Sequence, residues 1–531
     1  MQSDIDMDSS SGLELFTQKA ALTNRTNAPD HHDITLGSDR KRPADEADTG
    51  GRKRVKLAGK DRRQASIQDV GTEAQKDEAC DPLPLPRRQW STYSMRIASM
   101  MSQTRFPGHP YYISSTSLLQ SFVSSNKTDL YKCHSIVDDG SYFTLPYACA
   151  YSGAAKRGEM ARLAVSTEQG VVHVLDTRKR HNDWDGEPQR KVIQVFPNGV
   201  FDVKWSPTDS LLATASAGAS IQVSDPEAQK VLRVLSAGSG TIKCLAWSPE
   251  QQDNVLCSGG RDGRICIWDL RNNVEEPVME MPDAHEDIVK TPKPRTRKGK
   301  VAPAAPQRSI TSVLYPDDDP YGIISSGSLD GVLRHWDLRL FKRKAIRSRK
   351  HPTHISSLDP TTYQGARRAR GITSLCQGTG STAGLLFALG NDSLIHTYDT
   401  KSLTPLSGQL PFGQDPYAYT HPNMRTNSFY VRVALSPCGR WLASGGADNG
   451  SVYLFDVSNA GRVEFASSQG PGVQLKGQVG EVGAVDWADG TVASCADDGT
   501  VRVWRPDIDT YRRCQEDPKE MEWEWSWARE C

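Results

Sequence analysis

The chain has 531 residues, and its 64 lysines and arginines balance 64 aspartates and glutamates, so net charge selects neither a nucleic-acid nor a membrane partner. Its 11 cysteines show no C-x-x-C spacing, and several (Cys244, Cys257, Cys266, Cys495) fall in expected strands, the usage of a reduced intracellular protein with cysteine as a small core residue. No apolar run approaches the ~18 residues of a membrane span, and no signal-peptide core opens the chain, which places it in the soluble, intracellular class.

Residues 1–108 are polar and without sustained periodicity, the composition of a disordered arm that cannot bury enough apolar surface to offset chain entropy. Within it lie two basic clusters, Lys41 and Arg42 with Arg40, then Arg52, Lys53, Arg54 and Lys56. That spacing suits the two acidic pockets of a nuclear import receptor and predicts nuclear localisation; a solvated charge run or nucleic-acid tether is the plainer alternative.

From residue 109 to 508 the texture changes to short alternating strands separated by Gly, Asp and Ser-Pro. An Asp-Gly turn, an alternating strand and a closing Trp recur at Asp262–Trp268, Asp330–Trp336 and Asp498–Trp504. That unit is one β-propeller blade. Seven such units can be marked, with third strands at Val171–Asp176, Ile221–Asp225, Arg264–Asp269, Val332–Asp337, Leu394–Asp399, Ser451–Asp456 and Thr500–Trp504. The predicted fold is therefore all-β: a seven-bladed WD-repeat propeller with a disordered N-terminal arm and a short C-terminal tail. Closure into a ring protects the strand edges, and residues 111–119 are expected to supply the outer strand missing from the last blade.

Ser258, Ser326, Ser444 and Ser494, with Asp262, Asp330, Asp448 and Asp498 and the closing tryptophans, read as a hydrogen-bonded scaffold, because a buried carboxylate and indole N–H need partners. Blade two lacks the set, with Gly218 and Ser224 at the Asp and Trp positions, so apolar contacts must hold it. No H-E-x-x-H, G-x-S-x-G or phosphate-cradling glycine loop occurs. The chain is read as a non-enzyme, with no catalytic residues, no cofactor and no metal.

The informative departures are insertions. Roughly thirty residues follow blade three, carrying Lys290, Thr291, Lys293, Arg295, Arg297, Lys298 and Lys300. Further basic residues follow blade four. Both insertions leave from connections on one face, giving a basic rim for an acidic partner or DNA phosphates, or merely solubilising loops. Thr291-Pro292 is a possible proline-directed phosphorylation site. The tail, residues 509–531, carries Trp523, Trp525 and Trp527, expected on one strand face and packed on the propeller.

Two blades end in the same phrase, Trp268-Asp269-Leu270-Arg271 and Trp336-Asp337-Leu338-Arg339. A W-D-x-R finish on adjacent blades resembles the docking box of substrate receptors in cullin-four-type ubiquitin ligases. With Gly199–Trp205, Ser258–Gly263, Asp283-Ala284-His285 and Phe429-Tyr430-Val431, the chain resembles the denticleless family. That resemblance implies a receptor delivering replication factors, bound to the sliding clamp on DNA, to the ligase. It assigns Asp269, Arg271, Asp337 and Arg339 to the ligase's propeller-type adaptor subunit, with an added contact from residues 114–131. The opposite face is then expected to receive a degron bearing a basic residue, through an acidic acceptor the sequence does not reveal. Longer animal members have an extended C-terminal tail with a clamp motif; this chain shows neither, so the basic arm and rim stand as substitutes, and direct DNA contact stays open. The alternatives are a chromatin- or histone-binding scaffold and an activator of the anaphase-type ligase. The latter family carries a terminal Ile-Arg, whereas this chain has Glu530-Cys531.

Overall fold

The computed structural model describes residues 115–136, 142–180, 187–238, 240–286, 308–340, 355–362, 367–409, 415–428, 430–462 and 472–529. The expected nuclear-import clusters, Thr291 and the six basic residues of the blade-three insertion lie outside these.

Seven antiparallel units follow one another along the chain. Their inner strands are Pro146–Tyr151, Val200–Trp205, Ile242–Trp247, Ile310–Leu314, Ile372–Gln377, Val433–Leu435 and Val482–Ala488. Each inner strand lies against the next, and the seventh lies against the first, so the ring closes. The first four blades have four strands each; the fifth has three, with bridges at Pro405 and Tyr419 where a fourth would run. Gly263 and Gly499 complete Asp-Gly turns at φ of 80° and 75°, a conformation that penalises any Cβ.

Closure is made by a seam of distant segments. Phe122–Ser125 and Leu130–Lys132 both pair with the third strand of blade seven, Thr500–Pro506, along its open edge. This corrects the expected outer strand: Ser115–Gln120 is a helix, and the pairing strands start at residue 122. The helix buries Leu118 and Leu119 against blade six, and Phe122 meets Trp487 edge-on at 5.8 Å. Leu118, Leu119 and Phe122 are thus core residues, while Leu130 of the same segment stays partly exposed.

The C-terminal segment completes the seam. Asp507 caps the helix Ile508–Glu516, its carboxylate accepting from the Thr510 N–H at 3.0 Å. Strand Trp525–Ala528 then inserts between Phe122–Ser125 and the outer strand of blade six, Val473–Lys476. The tail therefore packs on the propeller as expected, with Trp527 buried. Its three indoles are not equivalent: Trp523 precedes the strand in a turn and is 87% exposed.

Inside the blades, Trp268 and Trp504 donate to Ser258 and Ser494 at 3.0 Å. In blade four the acceptor is Ser325, not the expected Ser326. The Ser325–Asp330 turn is one residue longer than Ser258–Asp262, which displaces the match. Ser325 also bonds His285, whose other nitrogen lies 3.0 Å from Asp330, completing a Trp-Ser-His-Asp chain. Gln478 replaces the histidine in blade seven, accepting from Ser494 at 2.6 Å. Blade two packs through Ala213, Ala215, Ile221, Val223 and Leu235, as its missing polar set requires.

Blade five holds a buried charge. Burial lowers the pKa of His396, but Asp392 at 3.0 Å and Asp415 at 3.6 Å outweigh it and hold the imidazole up to about 9. A raised folded-state value means stability present below the unfolded pKa of about 6.5 and lost as pH rises through about 9. Unfolding free energy measured from pH 6 to 9.5 should therefore fall more steeply in the native chain than in His396→Gln. At the seam, Phe122→Ala should cost about 3–5 kcal/mol in denaturant titrations, the usual range for emptying a buried phenyl site.

Candidate functional site

The third strand of each blade ends on one face, here called lower; the inner strands and the turns between second and third strands begin or lie on the other, the upper face. On the lower face, Arg271 folds back onto the aspartate two residues before it. Its main-chain N–H and Nε donate to Asp269 Oδ1 at 3.0 and 2.9 Å, and Nη2 reaches Oδ2 at 2.7 Å. Arg339 makes the same clamp on Asp337, with distances of 2.9, 2.9 and 2.7 Å, and lies over the Tyr321 ring at 5.2 Å. The guanidinium hydrogen bonds hold both carboxyls below the usual carboxylate range. Both arginines remain exposed, at 57% and 61%, with no bond from Nη1 to a described residue. The intrablade bond thus orients a planar donor whose remaining edge faces solvent, a geometry suited to carboxylate or carbonyl oxygens of a partner.

A third clamp went unread in the sequence. Asp176-Thr177-Arg178 ends the third strand of blade one with the same carboxylate–guanidinium geometry. The signal was the Asp-x-Arg spacing; Leu175 in place of Trp hid it.

On the upper face, Tyr147, Phe201 and Tyr430 converge from blades one, two and six. Their centroids are 5.4, 5.5 and 5.9 Å apart and their planes within 22° of one another. Three nearly parallel rings at the corners of such a triangle form a platform across the channel, not a column. Beneath it Arg432 of blade six crosses to blade two, donating to Asp202 Oδ1 at 2.9 Å and to the Phe201 carbonyl at 2.7 Å. Asp202 is buried and also accepts from the Leu245 N–H at 2.8 Å, so one carboxylate ties blades two, three and six.

Carboxylates gather beside the platform on blades six, seven and one. Burial raises the pKa of Glu481, with Asp497 and Asp448 adding to it; Glu481 Oε1 is buried without a hydrogen-bond partner among the described residues. Asp497 is raised by burial and by Asp498 and Glu168. Burial raises the Tyr430 hydroxyl, reinforced by Glu481, Glu168 and Asp497. Across the channel the charge reverses: burial lowers Lys243, next to Arg261, and Arg367, Arg368 and Arg370 stand exposed before blade five. These mouth residues come from six of the seven blades, and no local motif marks them. Among the described residues, no group of three or more His, Cys, Asp or Glu is placed to hold a metal ion, and no helix is long and apolar enough to cross a membrane.

Blade architecture and repeat spacing define a WD-repeat β-propeller protein. Residues 302–337, 423–456 and 471–505 match the WD domain, G-beta repeat model, and residues 203–289 match the anaphase-promoting complex subunit 4 WD40 domain. The chain is 31% identical to a zebrafish (Danio rerio) denticleless protein homolog, over 68% of this chain and 51% of that one. It is 29% identical to Xenopus laevis denticleless protein homolog B, over 77% and 55%. A similar identity of 29% links it to the cell division cycle protein cdt2 of Schizosaccharomyces pombe, over 65% and 66%. The chain belongs to the denticleless family of WD-repeat proteins. It spans about half the length of the vertebrate relatives it matches.

The two arginine settings predict opposite consequences for stability. Arg432→Ala strands a buried carboxylate and should lower unfolding free energy by about 3 kcal/mol. Arg271→Ala and Arg339→Ala remove exposed, solvent-screened groups, so their melting midpoints should match the unaltered protein in the same calorimetric series.

Proposed function

We propose that this chain is a non-catalytic substrate receptor of a cullin-RING ubiquitin ligase, acting in the nucleus on replication-linked proteins presented by the sliding clamp. Family membership supports the class. The observation that carries the reading is the pair of exposed, aspartate-clamped arginines on the lower face of adjacent blades, Arg271 and Arg339. They bind the ligase's propeller-type adaptor subunit. The upper face takes the substrate, and the basic residue of its degron settles over the Tyr147–Phe201–Tyr430 platform, where ring faces and carboxylates both favour a cation. Ubiquitin transfer is then promoted by effective concentration: the receptor tethers its target near the conjugating enzyme. The basic residues of the blade-three insertion, Lys290, Lys293, Arg295, Arg297, Lys298 and Lys300, favour a clamp loaded on DNA through their positive charge.

Pull-down of the purified adaptor by the full chain should fall at least tenfold with Arg271→Ala and Arg339→Ala combined. Equal recovery would sink the docking assignment and favour a chromatin- or histone-binding scaffold, which needs neither arginine. On the upper face, Glu481→Gln with Asp497→Asn should weaken a basic degron peptide by about tenfold in fluorescence anisotropy while adaptor recovery is unchanged. Unchanged peptide affinity would remove the mouth as acceptor.

A further inference from the structure

The lower-face tips differ around the ring in a way that marks one more docking residue. Two positions after the aspartate that ends each third strand stand Arg178, Glu227, Arg271, Arg339, Lys401 and Ser458, in blades one to six. Glu227 is occupied by Arg162 and Lys191. Lys401 approaches Asp318 only at 4.0 Å. Ser458 turns back onto Asp456 at 2.5 Å.

Arg178 alone repeats the clamp seen in blades three and four. Its N–H donates to Asp176 Oδ1 at 3.1 Å, Nε lies 3.0 and 2.9 Å from the two oxygens, and Nη2 donates at 2.5 Å. Burial works against ionisation of Asp176, but the Arg178 hydrogen bonds and charge prevail and hold its carboxyl below the usual range. The side chain of Arg178 is 76% exposed, more than Arg271 or Arg339.

A purely structural role accounts poorly for this residue. Exposed ion pairs contribute little to stability, and blade one has no Trp–Ser bond for the pair to reinforce, since Leu175 occupies the Trp position. What the clamp does supply is orientation: holding Nε and Nη2 on the aspartate leaves the Nη1 edge outward, so less rotamer freedom is lost when a partner binds.

We propose that Arg178 is a third anchor for the propeller-type adaptor, offering its outward edge to carboxylate or main-chain carbonyl oxygens. This rests on the lower-face reading given above. The footprint then runs over four consecutive blades, with Glu227 of blade two, paired to Arg162 and Lys191 of blade one, between the anchors.

The test measures adaptor affinity of the full chain by calorimetry for Arg178→Ala, Arg178→Lys and Arg271→Ala, with melting midpoints as the folding control. Arg178→Ala should weaken binding by about 5- to 20-fold at an unchanged midpoint. Arg178→Lys should recover only part of that loss, because an ammonium keeps the charge without the planar fork. Full affinity in Arg178→Ala while Arg271→Ala binds weakly would overturn the third anchor and leave the receptor function standing. Full affinity in both would overturn the lower-face reading itself.

Discussion

Every other feature depends on the closing of a seven-membered ring, and closure rests on main-chain hydrogen bonds between segments far apart in sequence. A row of propeller sheets left open would expose an unpaired edge at blade seven. Here two short strands from before blade one cover that edge, and a strand from beyond blade seven locks the first of them to blade six. Asn126 shows how closely the seam is tied: its side chain donates to the Glu522 carbonyl and accepts from Arg502 and Ser526. Arg505 pairs with Asp129 in the same corner. Blades six, seven and one are thereby held in register, and they are the blades that place the carboxylates of the upper mouth.

The ring separates chemistry by strand direction. Polar groups within blades, such as the Trp336–Ser325–His285–Asp330 chain, satisfy one another and leave nothing for a ligand. Groups at the strand ends are free to differ from blade to blade without disturbing the core. The third-strand ends give the lower face its clamped arginines. The inner-strand beginnings give the upper face an aromatic floor, acidic on one side and basic on the other. Arg432 lies between the two, fixing the floor to a buried carboxylate across the channel.

Much of this was legible in the chain because each blade is a local repeat. The third strands of blades one and six fall on the predicted residues, since alternation and turn signals act within a few positions. Legibility failed where distance entered. The outer strand of blade seven was sought too early, because the 115–120 stretch buries Leu118 and Leu119 as a helix before the strand begins. Ser325 was displaced by one residue of turn length, and Arg178 was hidden by a missing tryptophan. The mouth was invisible in principle: Tyr147, Phe201 and Tyr430 share no spacing, and only ring closure brings them together. Its aromatic and acidic character depends on tertiary placement, not on any motif.

The seam also sets an order of events in time. Val123 pairs with Arg505 and Trp527, so the strand that closes the ring emerges from the ribosome long before its partners. At about 5–20 residues per second, the interval between them is roughly 20–80 s. Until blades six and seven are made, Leu118, Leu119 and Phe122 have no blade to cover them, and each completed blade offers an edge to its neighbours on other chains. Contacts of such high sequence separation also form slowly once available. Synthesis of this protein therefore includes an obligatory period of exposed apolar surface near its own beginning, and its yield in a cell is tied to whatever shields that surface until the last blade is made.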